Sequence, residues 1–280
     1  MNWLDALILG IVQGLAEYLP ISSSGHLEIF NHLLGTKLQG ADSLQFDVVL
    51  HVATVLSTIV VLWHQFVPLC RSFFTLRRDE NTTYVWKLLF SCTPVGIVGI
   101  CFKDQVQSFF GVDPNGGNNL MLVGICLCVT ALLLVFAYIT STRMSLKTGQ
   151  QGHKIGWADA FIIGVGQAIA VLPGLSRSGT TISTGIILGD NREQVAQFSF
   201  FMVVIPILGQ ALLDLVKMVS GGEAAAESPI GIVPMIVGFL AAFIVGCLAC
   251  KWMLNLVKNG KLVWFALYCV VVGVTCMIFA

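Results

Sequence analysis

Apolar residues in this chain come in long blocks separated by short polar stretches. A spanning helix needs about 20 predominantly apolar residues. Six stretches reach that length, near 46–66, 84–102, 120–140, 195–216, 230–250 and 262–280, and each predicts a transmembrane helix. Two more, 3–34 and 157–188, are long enough in total but are cut near their middles by Pro20 and Pro173. The pieces, about 16 and 11 residues, are too short to span alone. Each stretch therefore predicts a re-entrant pair of half-helices that dips into the bilayer and returns on the same side. Irregular backbone at that depth needs protein or a wet cavity to satisfy it.

The two interrupted stretches are copies of one pattern. Asp5-Ala6 matches Asp159-Ala160, Gly10 matches Gly164, and Gln13 matches Gln167. Pro20 matches Pro173 after a one-residue slip, and Ser24-Gly25 matches Ser178-Gly179. Each half then holds one re-entrant pair and three spanning helices. Three crossings is an odd number, so the second half starts on the opposite face. The expected fold is an all-α polytopic membrane protein: a single integral membrane domain over 1–280, built from two inverted-topology repeats, 1–140 and 156–280. The two broken segments enter from opposite sides and meet near the midplane, where such folds place their binding sites.

Composition agrees with the blocks. The chain is 280 residues long, 56% hydrophobic and only 11% charged, with a mean hydropathy of +0.86. Soluble domains carry about 25% charge. The formal net charge of zero gives no reason to expect nucleic acid. Cys247 and Cys250 form a C-x-x-C inside a hydrophobic run with no second pair, and read as packing residues. The N-terminus lacks a basic n-region, so no cleaved signal peptide is expected. Basic residues cluster at Arg71, Arg77, Arg78 and Lys87, at Arg143, Lys147 and Lys154, at Arg192, and at Lys251, Lys258 and Lys261. All fall on one side of the six-helix arrangement. The other side has Lys37, Lys103 and Lys217 and carries Asp104, Asp113, Glu223 and Glu227. The positive-inside rule makes the first side cytoplasmic. Both termini, and the mouth of the Gln13–His26 segment, are then expected outside.

Candidate chemistry lies in the interruptions. Gln13 and Glu17 are four apart and share a helix face. An ionisable group at membrane depth is expensive and so points to function, although a Glu near the interface could instead be solvated or capping. Ser22, Ser23 and Ser24 lead into the second half-helix. A Ser there can be a plain N-cap, and a helix N-terminus also binds phosphate. His26, in the first turn, could be a general acid, a nucleophile or a metal ligand, against the bland reading of a satisfied core histidine. Arg177 is the cation within the second broken segment, flanked by Ser176 and Ser178, with Thr180 just beyond. A guanidinium with adjacent hydroxyls suits two phosphoryl oxygens, and it could also pair with Glu17. Asp47 and His51 start a span and are weighed evenly between lining the site and structure. Glu28 and His32 read as interfacial, Asp214 and His64 as capping or snorkelling residues, and Asp5 and Asp159 as helix-start residues.

These motifs carry a resemblance. Gln13-x-x-x-Glu17, L-P-I-S-S-S-G-H from Leu19 to His26, and P-G-L-S-R-S-G-T-T from Pro173 to Thr181 resemble the two signature regions of bacterial undecaprenyl-diphosphatases of the bacitracin-resistance type. The similarity runs end to end and includes F-D-V-V-L-H from Phe46 to His51. The family's first motif is often E-x-x-x-E, and here its first position is Gln13. Val171 stands near where the first copy has Glu17, so catalytic duty is asymmetric. The resemblance implies hydrolysis of undecaprenyl diphosphate to undecaprenyl phosphate and inorganic phosphate in the bacterial plasma (inner) membrane. That reaction recycles the carrier lipid for peptidoglycan synthesis and confers bacitracin resistance. It further implies a divalent cation, Mg²⁺ or Ca²⁺, with Glu17 as its carboxylate contact. In this reading Glu17, Ser23, His26 and Arg177 are catalytic. Gln13, Ser22, Ser24, Ser176, Ser178 and Thr180 bind substrate, and membrane lipids surround the whole. Inverted repeats with broken helices also suit a transporter or flippase of undecaprenyl phosphate using the same midplane site. A non-catalytic scaffold is the third reading. Glycines on several helices favour close helix contacts and leave a homodimer open.

Overall fold

The computed structural model describes residues 1–36, 41–75, 78–101, 120–148, 152–172, 174–219 and 230–279. Among these the chain forms twelve helices and no strand. They are α1 (Trp3–Ala16), α2 (Ser23–Leu34), α3 (Ala41–Val61), α4 (Trp63–Phe74), α5 (Glu80–Ser91), α6 (Thr93–Cys101), α7 (Leu120–Thr148), α8 (Trp157–Ile169), α9 (Arg177–Leu188), α10 (Arg192–Val219), α11 (Ile232–Lys258) and α12 (Val263–Ile278). The two interrupted stretches are the pairs α1–α2 and α8–α9. Pro20 lies in the first interruption; Pro173 and the acids Asp104, Asp113, Glu223 and Glu227 lie outside the described residues.

The two pairs share one set of local signals. At the start of α1, Asn2 Oδ1 accepts from the Asp5 N–H at 2.8 Å, and Asp5 Oδ2 accepts from the Asn2 N–H at 3.3 Å. At the start of α8, Asp159 Oδ2 accepts from the Gly156 N–H at 2.8 Å. Helices α2 and α9 are capped by Ser22 and Ser176, whose hydroxyls accept from the N–H groups of Gly25 (3.3 Å) and Gly179 (3.1 Å). Both end on a left-handed glycine, Gly35 and Gly189. Helices α8 and α9 run antiparallel, with Gly166 against Thr180 and Thr184 and Gly185 against Ile163.

Two expected spans are less simple than their hydrophobicity suggests. The 84–102 stretch is divided at Cys92 into α5 and α6. Pro94 has no N–H for the Phe90 carbonyl, and the Thr93 hydroxyl donates to that oxygen instead, at 2.7 Å. Pro206 likewise frees the Met202 carbonyl within α10, and that oxygen accepts the Cys92 thiol at 3.5 Å. The 46–66 stretch turns by 91° between α3 and α4. Helix α4 carries His64, Gln65 and Arg71 among apolar residues, a composition suited to lying along an interface. Among the described residues, Leu120–Arg143 and Ile232–Lys258 are long and apolar enough to cross a membrane alone, and the bent α3–α4 pair would add a third. Val263–Ile278 is a shorter apolar helix.

Packing crosses between the halves. Helix α1 lies along α11, α8 lies against α5 and α6, and α7 pairs with α12. The matched glycines Gly10 and Gly164 make the first two approaches feasible. A Cβ on Gly10 would stand 2.5 Å from the Gly238 carbonyl oxygen of α11, and one on Gly164 would overlap the Ser91 carbonyl of α5. At one end of the molecule polar contacts gather several connections. Lys154 Nζ meets Glu80 at 3.2 Å, Lys258 Nζ meets Glu193 at 3.0 Å, Lys87 Nζ donates to the Ile155 carbonyl at 2.6 Å, and Arg192 Nε donates to Ser141 at 2.8 Å. Many of the basic residues of the sequence thus share one end. Asp190 is buried at this end, and burial pushes its carboxyl up to about 7.

The glycine contacts yield a stability prediction. Gly164→Val should cost about 1–3 kcal/mol by overpacking, read as a lower thermal midpoint in detergent. Gly99→Ala, where a Cβ meets nothing within 4 Å, should leave the midpoint unchanged. Equal midpoints for both variants would remove the close-approach account of α8.

Candidate active site

The site forms where the two interruptions touch. The Ser178 hydroxyl, in the first turn of α9, donates to the Leu19 carbonyl at 3.2 Å. Leu19, Pro20 and Ile21 are buried. The Pro20 carbonyl accepts the Cys269 thiol of α12 at 3.5 Å, and the Ser22 carbonyl accepts from the His26 N–H at 3.1 Å. Across the contact, the Ser176 N–H donates to the Thr130 hydroxyl of α7 at 3.1 Å. Backbone that no helix satisfies is satisfied by other elements, as an apolar interior demands.

Glu17 follows the last residue of α1, and its side chain is only 7% exposed. One carboxylate oxygen, Oε2, gathers its surroundings. Gln13 Nε2 donates to it at 3.0 Å, the Ser23 hydroxyl donates at 2.8 Å, and His51 Nε2 stands 3.7 Å away. The Arg177 charge acts on this carboxylate, yet among the described residues Arg177 has no carboxylate within 4.0 Å. The neighbouring residue fixes the position. Tyr18 Oη donates to the Thr54 carbonyl of α3 at 2.6 Å and contacts the hydroxyls of Ser57 and Thr58. Its ring meets Phe200 of α10 edge to face, with centroids 5.2 Å apart. Tyr18 thereby ties the end of α1 to α3, one turn from His51.

Two histidines occupy different settings. A carbonyl only accepts, so a ring nitrogen bonded to one must carry a proton. His51 Nδ1 donates to the Asp47 carbonyl at 2.7 Å, so in the neutral ring Nε2 keeps its lone pair facing Glu17. His26 Nδ1 donates to the Ser22 carbonyl at 2.9 Å, but its Nε2 accepts from the Tyr268 hydroxyl at 2.7 Å, and the rings stack at 5.6 Å. Both nitrogens of His26 are engaged.

Two cavities flank this junction. One, of about 420 Å³, is lined by Asp47, His51, Gln167 and Arg177 together with apolar residues of α6 and α10. The other, of about 530 Å³, is apolar; His26 and Tyr268 line it, with Trp252 and Trp264 and with Lys261. The structure therefore groups Gln13, Glu17 and Ser23 in direct contact, with His51 beside them. Arg177 shares a cavity with His51, and His26 faces a different one. Ser22 and Ser176 act as helix caps, Ser24 Oγ lies 3.4 Å from Ser22 Oγ, and Thr180 bonds back to the Ser176 carbonyl at 2.8 Å. Ser22 has φ 69°, the left-handed region disfavoured for a residue with a Cβ. Sequence reasoning did not single out Gln167 or Tyr18 as site residues. Gln167 is buried in the cavity wall, and its amide finds no oxygen or nitrogen partner among the described residues. Its match to Gln13 in the repeat was the available signal. Tyr18 carried none.

The two ring environments predict unequal reactivity. Diethyl pyrocarbonate should modify His51 and spare His26, measured by peptide mass mapping of the intact protein in detergent. Tyr268→Phe should release His26 Nε2 and bring its labelling up toward that of His51. Rapid labelling of His26 in the unaltered chain would refute the paired geometry.

Comparison with known proteins identifies relatives along nearly the whole chain. The undecaprenyl-diphosphatase of Bacteroides thetaiotaomicron is 51% identical over 278 residues, covering 99% of each chain. That of Parabacteroides distasonis is 51% identical over 98% of this chain and 96% of its own. The undecaprenyl-diphosphatase of Methanosphaera stadtmanae, at 33% identity, spans 99% of this chain and 98% of its own. Residues 6–275 match the family described as Bacitracin resistance protein BacA. That span contains both interruptions, the Glu17 cluster and Arg177, and on it the chain belongs to the BacA bacitracin resistance family.

Proposed function

We propose that this chain hydrolyses undecaprenyl diphosphate to undecaprenyl phosphate and inorganic phosphate at the junction of its two interrupted helix pairs. It is a membrane hydrolase of the cell-wall lipid cycle, in keeping with relatives called undecaprenyl-diphosphatase at 51% identity over nearly the whole chain. The observation that carries the site assignment is the Ser178–Leu19 contact. It sets the cationic N-terminus of α9 against the segment that bears Glu17 and Ser23. Packing of α1 on α11 and of α8 on α5 and α6 supports two inverted repeats, each lending its hairpin to the other's second span. Gathering of basic residues at the opposite end supports an outward-opening headgroup cavity, with both termini outside.

Cleaving a phosphoric anhydride calls mainly for positioning and charge neutralisation. Arg177, at the first position of α9, offers a guanidinium and the positive end of a helix to the two phosphates. Ser23 fits the nucleophile better than His26, because its hydroxyl already donates to a buried carboxylate. Its oxygen would bond to the terminal phosphorus as its proton passes to Glu17. The bond to the bridging oxygen would break, and the lipid monophosphate would leave with that oxygen. Water, deprotonated by His51 Nε2, would then release phosphate from Ser23. The apolar cavity beside His26 would receive isoprene units. A divalent cation suits the same place: Gln13 Oε1 is buried without a partner beside the Glu17 carboxylate, an oxygen pair acceptable to Mg²⁺ or Ca²⁺. Gln13 and Glu17 would hold the ion, which when bound neutralises phosphate charge.

Purified protein in detergent should release phosphate from an isoprenyl diphosphate, and EDTA should stop it; a pure carrier would release none. Arg177→Ala should lower kcat/KM by about a hundredfold to a thousandfold with an unchanged thermal midpoint. Normal release by that variant would eliminate the cation clamp. With substrate labelled in its terminal phosphate, His51→Gln should accumulate labelled protein, and adding Ser23→Ala should abolish the label. No label in His51→Gln protein that still turns over would show direct attack by water instead.

A further inference from the structure

A second group of ligating side chains lies at the basic end, away from the reaction. His153 precedes α8, Asp159 is in its first turn, and Asp190 follows α9. Helix α9, 12 residues long, separates Asp190 from Arg177 by about 18 Å of helical rise. His153 Nδ1 lies 3.0 Å from Asp190 Oδ1 and 4.0 Å from Asp159 Oδ2. One ligand atom from each residue falls within 4.8 Å of the others. Ligands about 2.1 Å from a common ion stand roughly 3.0–3.4 Å apart, so the three atoms need only small rotations to share one.

Two further features single out this cluster. The Asp190 side chain has no exposed surface, and neither carboxylate oxygen has a hydrogen-bond partner beyond the His153 ring among the described residues. The nearby ammonium groups are engaged elsewhere, Lys87 on the Ile155 carbonyl and Lys154 on Glu80. Second, the His153 ring is held between two backbone carbonyls with Nδ1 beside the buried carboxylate. Its Nδ1 stands 3.0 Å from Asp190 Oδ1 and 3.2 Å from the Lys154 carbonyl, a contact it gives up with its proton on holding an ion, while its Nε2 stands 3.3 Å from the Leu188 carbonyl. Metal-bound histidines typically donate their other N–H to such an oxygen. The backbone is built for the approach. The His153 N–H donates to the Gly189 carbonyl at 3.1 Å, and the Asn191 N–H donates to the His153 carbonyl at 2.9 Å. Gly152, at φ 91°, packs so closely that a Cβ would sit 2.7 Å from the Asp190 backbone.

We infer that His153, Asp159 and Asp190 form a site for a first-row divalent cation that clamps the entry of the α8–α9 hairpin to its exit. An imidazole with two carboxylates suits Mn²⁺ or Zn²⁺ better than Ca²⁺. The competing reading is a plain ion pair, in which Nδ1–H is shared between Asp190 and the Lys154 carbonyl and Asp159 only caps α8.

The test uses Mn²⁺, which avoids the nine cysteines because it favours oxygen and nitrogen ligands. Full-length Glu17→Gln protein, which lacks the carboxylate proposed to hold the catalytic cation, is stripped with EDTA in detergent. Mn²⁺ is then titrated and the free ion followed by electron paramagnetic resonance. One Mn²⁺ should bind per chain and raise the thermal midpoint. Adding His153→Ala, a side chain 55% exposed and so dispensable for packing, should weaken binding at least about tenfold and remove the thermal shift. Asp190→Asn should do the same to the binding. Absence of Mn²⁺ binding to the Glu17→Gln protein, or equal affinity after His153→Ala, would overturn the site and leave the ion pair.

Discussion

Backbone that leaves a helix inside an apolar layer must find partners in the protein itself, and this structure is arranged around meeting that demand twice. At the first interruption the Leu19 carbonyl takes the Ser178 hydroxyl and the Pro20 carbonyl takes the Cys269 thiol. At the second, the Ser176 N–H takes the Thr130 hydroxyl. These partners come from other elements, so neither interruption is satisfied by its own hairpin alone. The junction between the halves is thus required by hydrogen bonding before any substrate is considered. Pro94 and Pro206 follow the same rule, with Thr93 serving the Phe90 carbonyl and Cys92 the Met202 carbonyl.

The Glu17 carboxylate takes its character from that junction. A buried charge is tolerable only when donors surround it. Gln13 donates to it from one helical turn earlier and Ser23 from beyond the interruption, and His51 of α3 stands beside it. Tyr18 fixes the third of these relationships by bonding to α3 one turn past His51. The proposed chemistry needs no residue outside this set and Arg177, and His51 links the two, because it stands beside the carboxylate and lines the cavity that holds Arg177.

The halves share caps and glycines but not chemistry. Helix α9 packs along α7, whereas an apolar cavity of about 530 Å³ lies among α1, α2, α11 and α12. The first interruption has a carboxylate where the second has Val171, and the second has a guanidinium where the first has Ser23. Two similar frames meet, and their differences make them complementary, an anion and hydroxyl on one side and a cation on the other.

Much of this could be read from residue order alone. Apolar blocks of fixed length, Pro20, the repeated Ser–Gly caps and the matched Gly10 and Gly164 are local signals, and bilayer thickness and helix geometry turn them directly into elements. Gln13 and Glu17 share a face because of helical periodicity, and that too is local. The remainder depended on which surfaces meet. Residue order puts His26 ahead of His51 as a reacting group, and only the tertiary structure shows the partner opposite each ring: Tyr268, distant in sequence, engages one, and nothing engages the other's Nε2 so tightly. The bonds of Tyr18 to α3 and the approach of His153 to Asp190 were likewise beyond reach from order. Each depends on a contact between segments far apart in the chain, and periodicity within a segment carries no record of what will pack against it.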